Sequence, residues 1–269
     1  MSAQPSLTDL KALVIDMDGV LWRGETPMPG LNQFFDFIAD QNIAFTLATN
    51  NARKTQEQYV QTLGRFGVTI SPEVVMTSSL ASAEYLKTQF PTGSRIHVIG
   101  QDGIRQAIVD AGYDIANNDV EAVVVGLDFE LTYNKLKTAT VLINNGARFI
   151  GTNPDLTFPF EDGVAPGNGA ILAALTAATG QEPEIVGKPG SIMFDLALKR
   201  MGTDGDHTAM LGDRLETDIK GGQQAGLKTI LVLSGISQAD ELPTSPSKPD
   251  WVYTDIAELI KTWQNQLSA

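Results

Sequence analysis

At 269 residues, with 42 % hydrophobic and 19 % charged residues, the chain can bury a full core as one large domain or two ordinary ones. A formal net charge of −13 argues against nucleic-acid and anionic-membrane partners, which need clustered Lys and Arg. The absence of cysteine removes disulfides, thiolate catalysis and cysteine-ligated zinc, and the two distant histidines, His97 and His207, form no triad or metal-ligand spacing.

The N-terminus, Met1 to Asp9, is polar, and no apolar stretch has the length of a membrane span, so a cytoplasmic protein is expected. The first apolar run, from Ala12, ends in two carboxylates, Asp16-Met17-Asp18-Gly19. Such a run reads as a buried parallel strand, and the acids mark its C-terminal edge, where open α/β sheets bind ligands. Leu31, Phe34, Phe35 and Ile38 follow at helical spacing behind Pro29-Gly30. Ala44 to Asn51 is a second strand ending in polar residues, Tyr59, Leu63 and Phe66 mark a second helix, and Val74 to Thr77 is a third strand. This alternation predicts a doubly wound parallel sheet.

Between about Ser79 and Glu184 the pattern continues with fewer polar strand ends. Strands are expected over Ile96–Gly100, Val120–Leu127 and Arg148–Thr152, and helices near Ile104–Ala111, Tyr133–Asn144 and Gly169–Thr179. About 100 residues make a domain, so the organisation expected is a core over 1–78, an inserted α/β domain over 79–184 and the rest of the core over 185–269. In that last part Thr208 to Asp213 is a strand ending in an acid, a helix spans Asp218–Ala225, Lys228–Leu233 and Trp251–Tyr253 are strands, and Ile256–Gln266 is the last helix.

Four clusters stand out: Asp16 with Asp18, Thr49-Asn50-Asn51, Lys188 in VGKPG, and Asp213 with Asp218 in GDRLETDI. Each has an ordinary reading. The acids suit helix caps, the asparagines suit turns, and the lysine suits a solvated turn. Together they are stronger, since Asp16, Asp18, Thr49, Asn50 and Asp213 all follow apolar strands of one presumed parallel sheet, and Lys188 opens the return to it. Carboxylates, a lysine and a hydroxyl–amide pair suit a phosphate held against Mg²⁺, which takes oxygen ligands.

DMDGV, ATNN, GKPG and GDRLETDI resemble, in order, the four motifs of the haloacid dehalogenase superfamily, and the resemblance covers nearly the whole chain. The insert between the second and third motifs resembles a C2-type cap on a Rossmann-like core. TNPD, PGNGA and ILVLSG resemble the p-nitrophenylphosphatase-like, NagD-like branch of subfamily IIA. The resemblance implies a Mg²⁺-dependent phosphomonoester hydrolase with an aspartyl-phosphate intermediate. Asp16 would be the nucleophile, and Asp18 would protonate the leaving oxygen and then activate water. Mg²⁺ would be held by Asp16, the Asp18 backbone carbonyl and Asp213, with Asp218 orienting that site. Thr49, Asn50, Asn51, Lys188 and Arg214 would bind the phosphoryl group or substrate. A halide leaves without a proton and an alkoxide does not, so Asp18 favours phosphoryl transfer over dehalogenation.

Within the insert, Asn153 and Asp155 are candidate substrate contacts, beside Asp128, Phe158, Phe160 and the Gly167-Asn168-Gly169 turn. The family implies small phosphorylated metabolites: phosphoglycolate, sugar phosphates, nucleoside monophosphates, pyridoxal phosphate or p-nitrophenyl phosphate. It also implies a homodimer through the cap. Two other classes remain open: a phosphotransferase or phosphomutase using the same aspartyl-phosphate, and a non-catalytic phospho-aspartate signalling or binding protein. A nicotinamide enzyme is disfavoured, because no G-x-G-x-x-G follows the first strand.

Overall fold

The structure, a computed structural model, describes residues 6–160 and 163–268. The side chain of Phe160 lies outside the described residues. In chain order the first elements are β1 (Ala12–Ile15), β2 (Trp22–Arg23), β3 (Thr26–Pro27), α1 (Leu31–Asp40), β4 (Ala44–Thr49), α2 (Gln56–Arg65) and β5 (Val75–Thr77). There follow α3 (Ser78–Gln89), β6 (Arg95–Ile99), α4 (Asp102–Asp110), β7 (Asp114–Ile115), β8 (Ala122–Val125), α5 (Tyr133–Asn144) and β9 (Arg148–Gly151). The remainder comprises β10 (Thr157–Phe160), β11 (Gly163–Pro166), α6 (Asn168–Thr179), β12 (Glu184–Ile185), α7 (Ser191–Met201), β13 (Thr208–Gly212), α8 (Lys220–Gln224), β14 (Lys228–Val232), β15 (Trp251–Tyr253) and α9 (Ile256–Leu267).

The described residues form two compact units. One draws on the described residues up to Thr49, on Gln56–Met76 and on those from Phe194 onward, the other on Asn50–Thr55 and on the described residues between Thr77 and Met193. The first unit is built on a six-stranded sheet in the order β15-β14-β13-β1-β4-β5. β1 runs parallel to both β13 and β4, with Ile15 beside Leu211 on one side and Leu47 on the other. All four residues of β1 are fully buried, as expected where helices cover both faces of a parallel sheet. Around the sheet pack Trp22, Phe34, Tyr59, Ile256 and Trp263. The Phe37 and Trp263 rings of α1 and α9 meet edge to face at 5.4 Å. Since β13, β1 and β4 are parallel neighbours in register, the residues that follow them leave the sheet at one end.

The second unit has its own five-stranded sheet, β12-β9-β8-β6-β7, whose pairings are parallel. Its core gathers Ile99, Val123, Val125, Phe149 and Leu172, and β10 and β11 form a separate antiparallel hairpin. The α/β character read from the sequence holds in both units. The second unit takes in more chain than 79–184, for a local reason. The Asn50 carbonyl accepts from Ser78 Oγ and from Asn153 Nδ2, each at 2.7 Å, and the Ala52 carbonyl accepts from Ser79 Oγ at 2.7 Å. These buried bonds fasten 50–55 to α3 and to the loop after β9.

Candidate active site

The sheet register fixes the first part of the site. Asp16 follows β1 and Asp213 follows β13, one strand over. Asp218 comes back to them because the chain after β13 makes a π-helical turn, Leu215–Ile219, in which the Ile219 N–H reaches the Arg214 carbonyl at 3.1 Å. Asp16, Asp213 and Asp218 each offer a carboxylate oxygen, and these oxygens lie within 4.8 Å of one another. Asp213 and Asp218 are each only 1 % exposed. Carboxylates gathered this way, away from water, repel one another unless a cation or proton is shared among them.

The surroundings are shaped to these acids. Asp218 Oδ2 accepts from the backbone N–H groups of Asp213 and Arg214 at 3.2 and 3.1 Å. Asp213 Oδ2 accepts from the Ile236 N–H at 2.8 Å, and the Ser237 N–H donates to the Asp213 carbonyl at 3.0 Å. A Cβ on Gly19, Gly212 or Gly235 would run into Asp213 or Asp218, so the three glycines form a backbone cradle about the two side chains. An all-oxygen donor set in a close cradle fits a hard divalent cation such as Mg²⁺.

Asp18 is placed differently. Its side chain is exposed, and its Oδ1 accepts from the buried Trp22 indole Nε1–H at 2.9 Å. Thr49, at the end of β4, is buried. Arg214 is half-buried and caps the π-helical turn with its carbonyl.

The remaining predicted residues belong to the second unit. Asn50 Nδ2 donates to the Lys188 carbonyl at 2.8 Å and to Asp155 Oδ1 at 3.2 Å. Asn153, besides holding the Asn50 carbonyl, accepts the Asp155 N–H on its Oδ1 at 3.2 Å. Lys188 is 2 % exposed, which rules out the solvated-turn reading of its motif. Asn51 Oδ1 accepts from the Arg53 N–H at 3.0 Å, a local turn bond.

The other insert candidates have structural work that the sequence does not reveal. Asp128 is buried and paired with Lys135 Nζ at 2.8 Å. Asn168 is buried and donates to the carbonyls of Val125 and Asn153. Gly167 and Gly169 let the chain pass against the backbone of Pro154, Asp155 and Thr157, where any Cβ would collide. Phe158 stacks by its edge on Phe129 at 5.7 Å, and the Arg53 guanidinium lies 4.2 Å from the Phe129 ring centre.

Comparison with known proteins sets this geometry in a family. The profile described as Haloacid dehalogenase-like hydrolase matches residues 13–114, and a second, HAD-hydrolase-like, matches residues 185–259. An acid sugar phosphatase of Staphylococcus aureus is 39 % identical over 251 residues, spanning 93 % of this chain and 96 % of the relative. The chain belongs to the haloacid dehalogenase superfamily. Within it the placement is the NagD-like, p-nitrophenylphosphatase branch. A 4-nitrophenylphosphatase of Thermotoga maritima superposes with a TM-score of 0.91 at 34 % identity, covering 96 % of this chain and 99 % of that one. NagD of E. coli K-12 superposes with a TM-score of 0.86 at 33 % identity, covering 93 % and 98 %. A Mycobacterium tuberculosis glycerol phosphate phosphatase, solved with magnesium, gives a TM-score of 0.86 at 30 % identity, covering 96 % and 78 %. This haloacid dehalogenase superfamily member is thus a phosphatase.

Two features that bond to the site's acids carry little mark in the sequence. One is Trp22, whose indole N–H meets Asp18 and which stands in none of the four clusters. The other is the Gly235-Ile236-Ser237 loop, which follows an ordinary apolar strand and carries no titratable residue; its only signal is ILVLSG, the branch-like wording after the fourth motif, which runs from β14 to Gly235. Among the described residues no helix is long and apolar enough to cross a membrane.

Proposed function

We propose that this phosphatase is a Mg²⁺-dependent phosphomonoester hydrolase of small phosphorylated metabolites, working through an aspartyl-phosphate on Asp16. The observation that carries the reading is the buried cluster of Asp16, Asp213 and Asp218, whose oxygens lie within 4.8 Å of one another. In this reading Mg²⁺ is held by Asp16, the Asp18 carbonyl and Asp213, while Asp218 orients the Asp213–Arg214 turn through its two backbone bonds. When bound, the ion offsets the repulsion between an anionic nucleophile and an anionic phosphoryl group.

The chain's own groups do the rest. An Asp16 carboxylate oxygen attacks phosphorus in line, and the bond to the alcohol oxygen breaks. Asp18 gives that oxygen its proton. It then takes a proton from water, which attacks the acyl phosphate, releases inorganic phosphate and restores the Asp16 carboxylate. Thr49 and Arg214 bind phosphoryl oxygens, and the donor roles that the resemblance gives Asn50, Asn51 and Lys188 are part of the proposal. Asn153 and Asp155 support Asn50, so we read them as orienting it rather than as touching substrate. We keep 1–78, 79–184 and 185–269 as the proposed core–cap–core organisation.

By their names the relatives act on sugar phosphates, 4-nitrophenyl phosphate and glycerol phosphate. We extend to this chain a preference for sugar and polyol phosphates, with 4-nitrophenyl phosphate as a working substrate. Phosphate release from a panel of such esters, measured with Mg²⁺ and with chelator, tests the proposal. Mg²⁺-dependent release is expected. Release that persists unchanged after exhaustive chelation, or isomerised sugar phosphate without free phosphate, would overturn it.

A further inference from the structure

We propose that Trp22 is a positioning residue for the proton-transfer step, holding the Asp18 carboxylate in a fixed orientation through its indole N–H. The inference rests on the reading of Asp18 as the general acid.

The donor is held by packing. Trp22 is 2 % exposed, and its ring packs against Tyr59 at 6.4 Å and Phe66 at 6.2 Å between centroids. The acceptor is not held by burial, since the Asp18 side chain is exposed. The link between them is short and closed. The Gly19 N–H donates to the Trp22 carbonyl at 2.7 Å, and the Leu21 N–H donates to the Met17 carbonyl at 2.8 Å. Gly19 takes a φ of 91°, which glycine adopts without strain. Ser234 Oγ donates to the Gly19 carbonyl at 2.7 Å and fastens the loop from outside. The 2.9 Å bond from Nε1 to Oδ1 then ties one carboxylate oxygen to the buried ring.

The chemistry of the partner matters as much as its place. An indole N–H donates and does not accept. A carboxylic acid facing it is bonded best through its carbonyl oxygen, the stronger acceptor, which leaves the acid proton on the other oxygen, Oδ2. As the bond from phosphorus to the leaving oxygen breaks, its electron pair stays on that oxygen. That oxygen takes the proton from Oδ2, and Asp18 becomes a carboxylate still bonded to Trp22. A backbone carbonyl at the same place would satisfy the indole but orient no acid.

The test compares leaving groups. On wild type, Trp22→Phe and Asp18→Asn, kcat/KM is measured with p-nitrophenyl phosphate, whose leaving group needs little protonation, and with phenyl phosphate and an alkyl phosphate, which need more. General acid catalysis contributes about 10²- to 10⁴-fold. Misorienting the acid in Trp22→Phe should therefore lower kcat/KM about tenfold more for the poor leaving groups than for p-nitrophenyl phosphate. The ratio taken on one preparation does not depend on the fraction of protein folded. Phe66→Leu loosens the same aromatic cluster but keeps the N–H, and should lower all substrates alike. If Asp18→Asn is leaving-group selective and Trp22→Phe is not, the Trp22 assignment fails alone. If Asp18→Asn falls equally on every substrate, the general-acid reading fails and the assignment goes with it.

Discussion

Replacing Gly235 by alanine should weaken metal binding from outside the ligand set. The residue contributes no side chain and is not in the left-handed region, so alanine fits its backbone. A methyl group there would overlap Asp213 Oδ2, Cβ and Cγ, all well inside 3.0 Å. Asp213 is 1 % exposed, so its carboxylate must shift on the order of 1 Å within a packed site, a displacement that elsewhere costs about 10²-fold in rate. The shift also breaks the 2.8 Å bond from the Ile236 N–H. A hydrogen bond to a charged group contributes about 1.5–3 kcal/mol, which corresponds to about ten- to a hundredfold in affinity. Mg²⁺ titration of p-nitrophenyl phosphate hydrolysis should show the half-saturating concentration rising by that factor. Overpacking should also cost about 1–3 kcal/mol of stability, read by urea unfolding. A variant with half-saturation and kcat/KM within about twofold of wild type would refute the claim that this glycine makes room for a metal-bearing Asp213.

Asp16→Asn should lose at least about 10³-fold in turnover while thermal unfolding in chelator stays the same or moves upward, because one of three crowded charges is gone; steady-state assay and calorimetry on the same sample decide it. His97 sits buried on β6, and its Nδ1–H donates to the Ala116 carbonyl at 3.0 Å. Burial holds its pKa below the ordinary histidine value. The unfolded chain therefore binds a proton first as pH falls. The His97 contribution is present in full above about pH 6.5 and is lost as pH drops toward the depressed folded value. Urea unfolding at pH 7 and pH 5 should show a smaller acid penalty in His97→Gln than in wild type. Gly64→Ala, at an exposed position of α2 with nothing within 4 Å of the new methyl, should raise stability by about 0.5–1 kcal/mol and leave the Mg²⁺ titration alone.

How much of this was legible in the sequence differs by kind of feature. β1, β4 and β13 announce themselves, since each is an apolar run broken by a polar residue at its end, and the parallel register then brings Asp16 and Asp213 to one edge. α3 is different. Its buried face is Ser78, Ser79, Ala81, Ser82, Ala83 and Leu86, small or hydroxylic residues that make no apolar stripe. The helix is held instead by hydroxyls bonded to the carbonyls of Asn50 and Ala52. The hairpins Trp22–Arg23 with Thr26–Pro27, and Thr157–Phe160 with Gly163–Pro166, are too short for periodicity to show. Asn153 and Asn168 look like turn formers in sequence and prove to be buried hydrogen-bond hubs, a role set by what folds against them. Lys188 was ambiguous for the opposite reason, because nothing in the sequence tells a buried lysine from a solvated one.

The π-helical turn over Leu215–Ile219 has a consequence for the length of the chain there. It holds one residue more than an α-helical path would need, and each residue of an α-helix advances about 100° around its axis. Losing any one residue between Leu215 and Thr217 would let the helix close its ordinary ladder. It would also carry Asp218 about 100° away from the backbone groups of Asp213 and Arg214 that it now accepts from. Helix regularity and assembly of the acid cluster thus pull against each other at this point. A single-codon deletion could leave a well-folded, better-bonded helix in a protein that no longer builds its site, and the spacing from Gly212 to Gly221 matters more than the identities of Leu215, Glu216 and Thr217 taken singly.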